Sequence, residues 1–129
     1  MEDRRILVDT SVVIDHFRKK NKQKSLLYEL AKDNKLFLSA ISKFEFLVGT
    51  KPSQISQTEK LIEGFFILSF NSNVAAVARD IAKKFKTKNK IIEFRNIFIA
   101  ATAIANDIPL STLNVKHFER IDDLELIGF

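Results

Sequence analysis

Cysteine is absent, so neither a disulfide framework nor a thiolate zinc site can form, an absence that suits a reducing cytoplasm. Glycine is scarce. The three present make no Gly-rich loop after the first apolar run, which argues against a dinucleotide-binding fold. Long apolar runs are missing too: the longest, Ile97 to Ala105, falls far short of the roughly 20 residues that a spanning helix needs. No signal-peptide apolar region follows Met1-Glu2-Asp3-Arg4-Arg5, because Asp9 and Asp15 interrupt it. These absences predict a soluble, cytoplasmic protein with no membrane segment.

What is present points to a globular enzyme-sized unit. A length of 129 residues leaves room for one core, so residues 1–129 are read as a single domain. Hydrophobic residues make up 46% and charged ones 29%, ordinary proportions for a packed domain, and twelve Phe supply bulk for its core. The net charge of +5 favours polyanionic partners without selecting nucleic acid among them.

Short apolar runs alternate with helical periodicities. Arg5-Ile6-Leu7-Val8 reads as a strand that ends at Asp9-Thr10-Ser11, where a helix bearing Val13, Ile14 and Phe17 begins. Leu26, Leu27, Leu30 and Ala31 recur at helical spacing, and Leu36-Phe37-Leu38 is a second strand. Ser42 is placed at the start of a helix that stops near Gly49. Leu61, Ile62 and Phe65 mark a further helix, and Ile67 to Phe70 a strand. Val74, Val77, Ala78, Ile81, Ala82 and Phe85 form one helical stripe. Asn96 to Ala105 is apolar or small almost throughout, as in a helix buried on most sides, with Asn106-Asp107 as its end and Pro109 barring its return. Leu110 to Thr112 and Leu124 to Ile127 are short strands. The alternation predicts an α/β fold, a three-layer α/β/α sandwich around a short, mostly parallel sheet.

In such sheets ligands gather beyond the carboxyl ends of the strands. Asp9 follows the first strand, Glu45 lies one turn into the helix after the second, and Asn114 follows the strand at Leu110 to Thr112. Asn96 opens the buried helix. Brought together, these four would make an oxygen-rich pocket suited to a hard divalent cation such as Mg2+ or Mn2+. Such an ion activates water and neutralises charge developing on a phosphodiester. Each residue also has a purely structural explanation. Asp9 is an N-cap candidate for the helix at Thr10, and Ser42-x-x-Glu45 has the form of a capping box. Asn96 is a good N-cap, and Asn114 suits a turn. His117, beside Phe118 in a loop, reads as structural rather than as a base or ligand. Lys83, Lys84, Lys86 and Lys88 crowd one helix end, where cations suit the helix dipole and could also meet RNA.

The order and spacing of four blocks resemble the PIN domain, and within it the VapC toxins of toxin–antitoxin pairs. Ile6 to Asp15 is similar to the family's opening strand and first acid, which falls on Asp9. Ser39 to Gly49 is similar to the second block, whose acid falls on Glu45; Asn96 to Ala103 and Leu110 to Phe118 are similar to the third and the closing blocks. The resemblance implies a homodimeric, Mg2+- or Mn2+-dependent endoribonuclease acting on structured RNA of the tRNA or rRNA class, neutralised by a VapB-type antitoxin. It implies catalytic roles for Asp9, Glu45, Asn96 and Asn114 and metal binding by Asp9 and Asn96. Thr10, Ser11, Glu93 and Thr112 are candidate accessory residues.

One departure stands out. The family's third block begins with Asp, and this chain has Asn96, which keeps a carbonyl oxygen but supplies no negative charge. Glu93, one helical turn upstream, is the candidate to compensate. A disabling Asp→Asn exchange predicts weak metal binding and little activity. Two other readings compete. A phosphoacceptor receiver domain would want Asp after the third strand, where Asn71 follows Phe70. A catalytically inactive PIN scaffold that binds RNA or a protein would tolerate Asn96.

Overall fold

The computed structural model describes residues 4–127. Five strands form one sheet in the order β3-β2-β1-β4-β5, and every pairing is parallel, where the sequence predicted a mostly parallel sheet. The strands are β1 (Arg4–Val8), β2 (Asn34–Ser39), β3 (Phe66–Leu68), β4 (Leu110–Ser111) and β5 (Leu126–Ile127). Six α-helices connect them: α1 (Thr10–Arg18), α2 (Leu26–Ala31), α3 (Ala40–Val48), α4 (Ile55–Ile62), α5 (Ser72–Thr87) and α6 (Phe94–Ala105).

Strand period sorts the core into two halves. Side chains alternate across a strand, so Ile6 and Val8 of β1 join one buried cluster while Leu7 joins the other. The first cluster includes Val12, Val13, Leu27, Leu30, Phe46 and Ile62, so α1 to α4 cover that face. The second includes Val74, Ala78, Ile81, Phe85 and Ile97, so α5 and α6 cover the opposite face. Within α6, Ala100, Ala101 and Ala103 are fully buried, and their small side chains let the helix lie close to its neighbours. This is the three-layer α/β/α arrangement. Phenylalanine contributes less to it than its abundance suggests: among the described residues only Phe46, Phe65, Phe85 and Phe118 are buried, whereas Phe44, Phe66, Phe70 and Phe94 are exposed.

Several element boundaries differ from the sequence expectation. Helix α3 begins at Ala40, not at Ser42, and its cap is Ser39, whose hydroxyl accepts the Ser42 N–H at 3.0 Å. Phe65 lies in the turn beyond α4, and β3 ends at Leu68. Helix α6 starts two residues before Asn96, with Glu93 in the N-cap position. Its other end is as expected: Asp107 adopts a left-handed backbone, φ 53°, just past the last turn.

The strand order places a topological switch beside β1. From β1 the chain winds outward through β2 to β3, then returns across the other face to β4 on the far side of β1. Connections therefore diverge on either side of the β1–β4 pair and leave a crevice at its carboxyl end. Asp9 is the first residue past β1, and its N–H donates to the Ser111 carbonyl at 2.9 Å, the last residue of β4. Fold topology alone thus sets Asp9 at the mouth of the crevice.

Candidate active site

Asp9 stands at the N-terminus of α1 but its side chain makes no cap bond there; its backbone carbonyl accepts the Val12 N–H instead. The carboxylate, fully buried, is turned to other partners. Its Oδ2 accepts the Ser11 and Thr112 hydroxyls, both at 2.8 Å, and its Oδ1 accepts Nη2 of Arg95 at 3.0 Å. Two hydroxyls and a cation thus replace the water a buried carboxylate would lose.

Glu45 is likewise released from capping, since Ser39 and not Ser42 closes the start of α3. One of its oxygens, Oε1, accepts the Thr10 hydroxyl at 2.9 Å, and the other, Oε2, accepts Nε of Arg95. Asn96 is the third residue of α6 and is buried, so it is not the cap the sequence suggested. Its Oδ1 accepts Nη1 of Arg95 at 2.7 Å. Asp9, Glu45 and Asn96, which are far apart in the chain, therefore converge on one guanidinium.

Asn114 reaches the same place from the other side. Its N–H donates to the Thr112 hydroxyl at 2.9 Å, and the residue lines an open cleft of about 720 Å3 together with Thr10, Ser11, Asp15, Glu45 and Arg95. Thr112 is a relay: it receives from Asn114 and donates to Asp9. Thr10, Ser11 and Thr112 thus all belong to the network. Glu93 does not. It is exposed, and its backbone carbonyl accepts the Asn96 and Ile97 N–H groups. Lys83, Lys84, Lys86 and Lys88 are exposed and none of them lines the cleft; Lys84 pairs with Asp122 at 3.1 Å. His117 is an exposed residue of a 3₁₀ turn at Val115–His117.

Arg95 is the residue that the sequence did not single out. Burial alone would lower the pKa of its guanidinium. The hydrogen bond it donates to Glu45 and the charges of Asp9 and Glu45 outweigh that penalty and hold it above the ordinary arginine value. A signal was available. Arg95 occupies the first turn of α6, where the helix dipole disfavours a cation. A buried helix carries such a residue only where carboxylates lie in front of it.

Residues 6–124 match the PIN domain. The chain belongs to the PIN-domain family, and within it to the VapC ribonucleases. It is 32% identical over 126 residues to Ribonuclease VapC1 of Methanocaldococcus jannaschii, covering 97% of this chain and 87% of that protein. It is 30% identical over 120 residues to Ribonuclease VapC10 of Mycobacterium tuberculosis (strain ATCC 25618 / H37Rv), covering 93% and 90%. Among solved structures, DNA-bound VapBC from Salmonella typhimurium has a TM-score of 0.83 at 19% identity, covering 96% of this chain and 97% of that one, a likeness of fold.

PIN-domain VapC ribonucleases are in general dependent on a divalent metal. The donor chemistry here fits a hard cation: two carboxylates and a carboxamide oxygen, ringed by hydroxyls. The set is lean, however. Among the described residues no three Asp, Glu, His or Cys side chains come together in a metal-binding group. Every carboxylate oxygen of Asp9 and Glu45 already has a partner, and Arg95 takes one from each.

Proposed function

We propose that this chain is the toxin of a toxin–antitoxin pair, an Mg2+- or Mn2+-dependent endoribonuclease that hydrolyses RNA phosphodiester bonds and is impaired by Asn96. The observation that carries the reading is the convergence of Asp9, Glu45 and Asn96 beyond the carboxyl end of β1, with Asn114 on the wall of the same cleft. The relatives named Ribonuclease VapC support the reaction class.

Asp9, Asn96 and Glu45 are the residues that would hold the ion. When bound, it lowers the pKa of a water and neutralises charge on the phosphoryl oxygens. The chain's own contribution is orientation. Ser11 and Thr112 fix the Asp9 carboxylate through Oδ2 and leave Oδ1 to Arg95, and Thr10 fixes Glu45 through Oε1, leaving Oε2 to the same guanidinium. Asn114 holds Thr112 in place through its backbone and lines the cleft. Arg18 and Lys19, on the cleft wall, supply positive charge for the RNA backbone.

The antitoxin is proposed to be of VapB type, with the toxin acting as a homodimer and the whole chain as one PIN domain. The exposed side of α3 supports a protein partner: Phe44, Leu47 and Val48 are 64%, 41% and 68% exposed, apolar side chains on the helix that carries Glu45. The Salmonella structure is itself a VapBC. RNA of the tRNA or rRNA class is the proposed substrate.

The test is gain of function. Asn96→Asp restores a third carboxylate and should raise Mn2+-dependent RNA cleavage on the order of 10–100-fold, with loss on chelation. Adding Asp9→Ala to that variant should abolish it. If Asn96→Asp brings no gain, the disabling role of Asn96 is rejected. A second reading, an inactive scaffold that binds RNA or protein, is favoured by Asn96 together with Arg95. Persistent RNA binding by Asn96→Asp without any cleavage would select it.

A further inference from the structure

Arg95 joins the three residues on which the metal site depends, and its geometry carries more than a supporting role. We propose that Arg95 is a resident counter-cation: its guanidinium holds the position between Asp9, Glu45 and Asn96 that a divalent ion would take, so that ion binding requires the arginine to leave. The proposal rests on the nuclease reading above and deepens it.

Three nitrogens of one planar group face three oxygens from three different segments. Nη2 meets Asp9 Oδ1 at 3.0 Å, Nη1 meets Asn96 Oδ1 at 2.7 Å, and Nε meets Glu45 Oε2. These are the oxygens left over once the hydroxyls of Ser11, Thr112 and Thr10 have taken Asp9 Oδ2 and Glu45 Oε1. The hydroxyls hold one oxygen of each carboxylate, and the guanidinium holds the other. A hard cation and Arg95 therefore need the same atoms.

Charge points the same way. Asp9 is fully buried, and two carboxylates aimed at one point repel unless a positive charge separates them. Arg95 supplies that charge against the pull of its own helix dipole. It leaves the cluster with one net negative charge, which a dication in its place would neutralise. Asn96 fits the same arrangement. As a neutral acceptor it completes the arginine's contacts without adding charge that would favour a dication over a monocation.

A way out exists. The Arg95 side chain is 28% exposed and lines the open cleft, and Asp15 lines the same cleft. Asp15 is now paired with Lys19 at 3.3 Å, a contact between partly exposed groups that costs little to rearrange.

Calorimetry with Mn2+ tests the proposal on four proteins: the unaltered chain, Arg95→Gln, Asn96→Asp and the double variant. Arg95→Gln should bind Mn2+ at least about tenfold more tightly than the unaltered chain. Asn96→Asp should gain less than Arg95→Gln, because the new carboxylate also strengthens the hold on Arg95. The double variant should bind tightest. Because Arg95→Gln removes a paired charge and could fail to fold, the unaltered chain is also followed by NMR of the Arg95 Nε–H. That proton should exchange slowly without metal and become exposed to exchange as Mg2+ saturates the site. Equal Mn2+ affinity in the unaltered chain and Arg95→Gln, or a protected Nε–H at saturating Mg2+, would overturn the counter-cation and leave the nuclease reading standing. Absence of Mn2+ binding in all four would overturn both.

Discussion

The end of α5 and the residues after it crowd five lysines, Lys83, Lys84, Lys86, Lys88 and Lys90, onto exposed positions, whereas the first turn of α6 carries a single arginine held by buried and half-buried acids. Judged by charge count, the lysines are the place to look for polyanion chemistry. Judged by what each cation touches, they are a solvated helix end with one surface ion pair, between Lys84 and Asp122. Arg95 touches all three candidate ligands. Position in a low-dielectric network, not density of charge, decides which cation matters to the site.

Four measurements would break or sharpen that contrast. The largest effect belongs to Arg95→Ala in metal-free buffer. Removing one partner of a fully buried ion pair costs roughly 3–5 kcal/mol; with Arg95 partly exposed, about 2–3 kcal/mol is expected, read as a fall of roughly 10 °C in melting temperature. A shift no larger than that of Lys84→Ala would erase the distinction between the two regions. Next comes Thr112→Val, which keeps shape but deletes the hydroxyl that donates to Asp9 and receives from Asn114. Loss of about 1–2 kcal/mol in chemical denaturation is expected, because a buried donor and acceptor lose their partner together. Lys84→Ala should then leave the melting temperature within about 2 °C of the unaltered protein.

The smallest effect expected to depart from zero is a pH slope. His16 sits in α1 with its Nδ1 2.6 Å from the Ser25 hydroxyl. Because that hydroxyl already donates to the Lys22 carbonyl and accepts the Tyr28 N–H, the histidine must be the donor. Burial first, and then the charge of Lys22, hold its pKa below the usual 6.5, against the opposing pull of Asp15. The unfolded chain therefore takes up the proton before the folded one. The stability due to neutral His16 is complete above pH 6.5 and is lost as pH falls through the lower folded value. Melting temperature should drop by about 1–3 °C between about pH 7.5 and pH 5, and His16→Asn should flatten part of that slope.

Much of this molecule was readable before any coordinates. The strand at Arg5 to Val8, the stripe of α5 and the buried helix α6 were visible because each has a strong period and a clear stop. The convergence of Asp9, Glu45 and Asn96 was legible from block order; of the four residues named beside them, Thr10, Ser11 and Thr112 share hydrogen bonds with the two acids and Glu93 stands apart. Helix starts were less so. Ser39 and Ser42 are both acceptable caps, and only the strand that delivers Ser39 chooses between them. Asn96 resembles a cap, but Glu93 stands in that position and leaves Asn96 facing inward. Arg95 escaped because its meaning lies in contacts spanning 86 and 50 positions of the chain, which no local pattern records.

The alternation within β1 carries a last consequence. Ile6 and Val8 feed one cluster and Leu7 the other, and the strand is locked to neighbours on both sides, Leu7 opposite Phe37 and also opposite Leu110. Asp9 inherits its aim from that double lock. Excising a single residue between Arg5 and Val8 would not merely shorten the strand: it would exchange its inward-facing sets and rotate the acid away from Thr112 and Arg95. The acid's aim is therefore written into the spacing of hydrocarbon side chains that never meet a substrate.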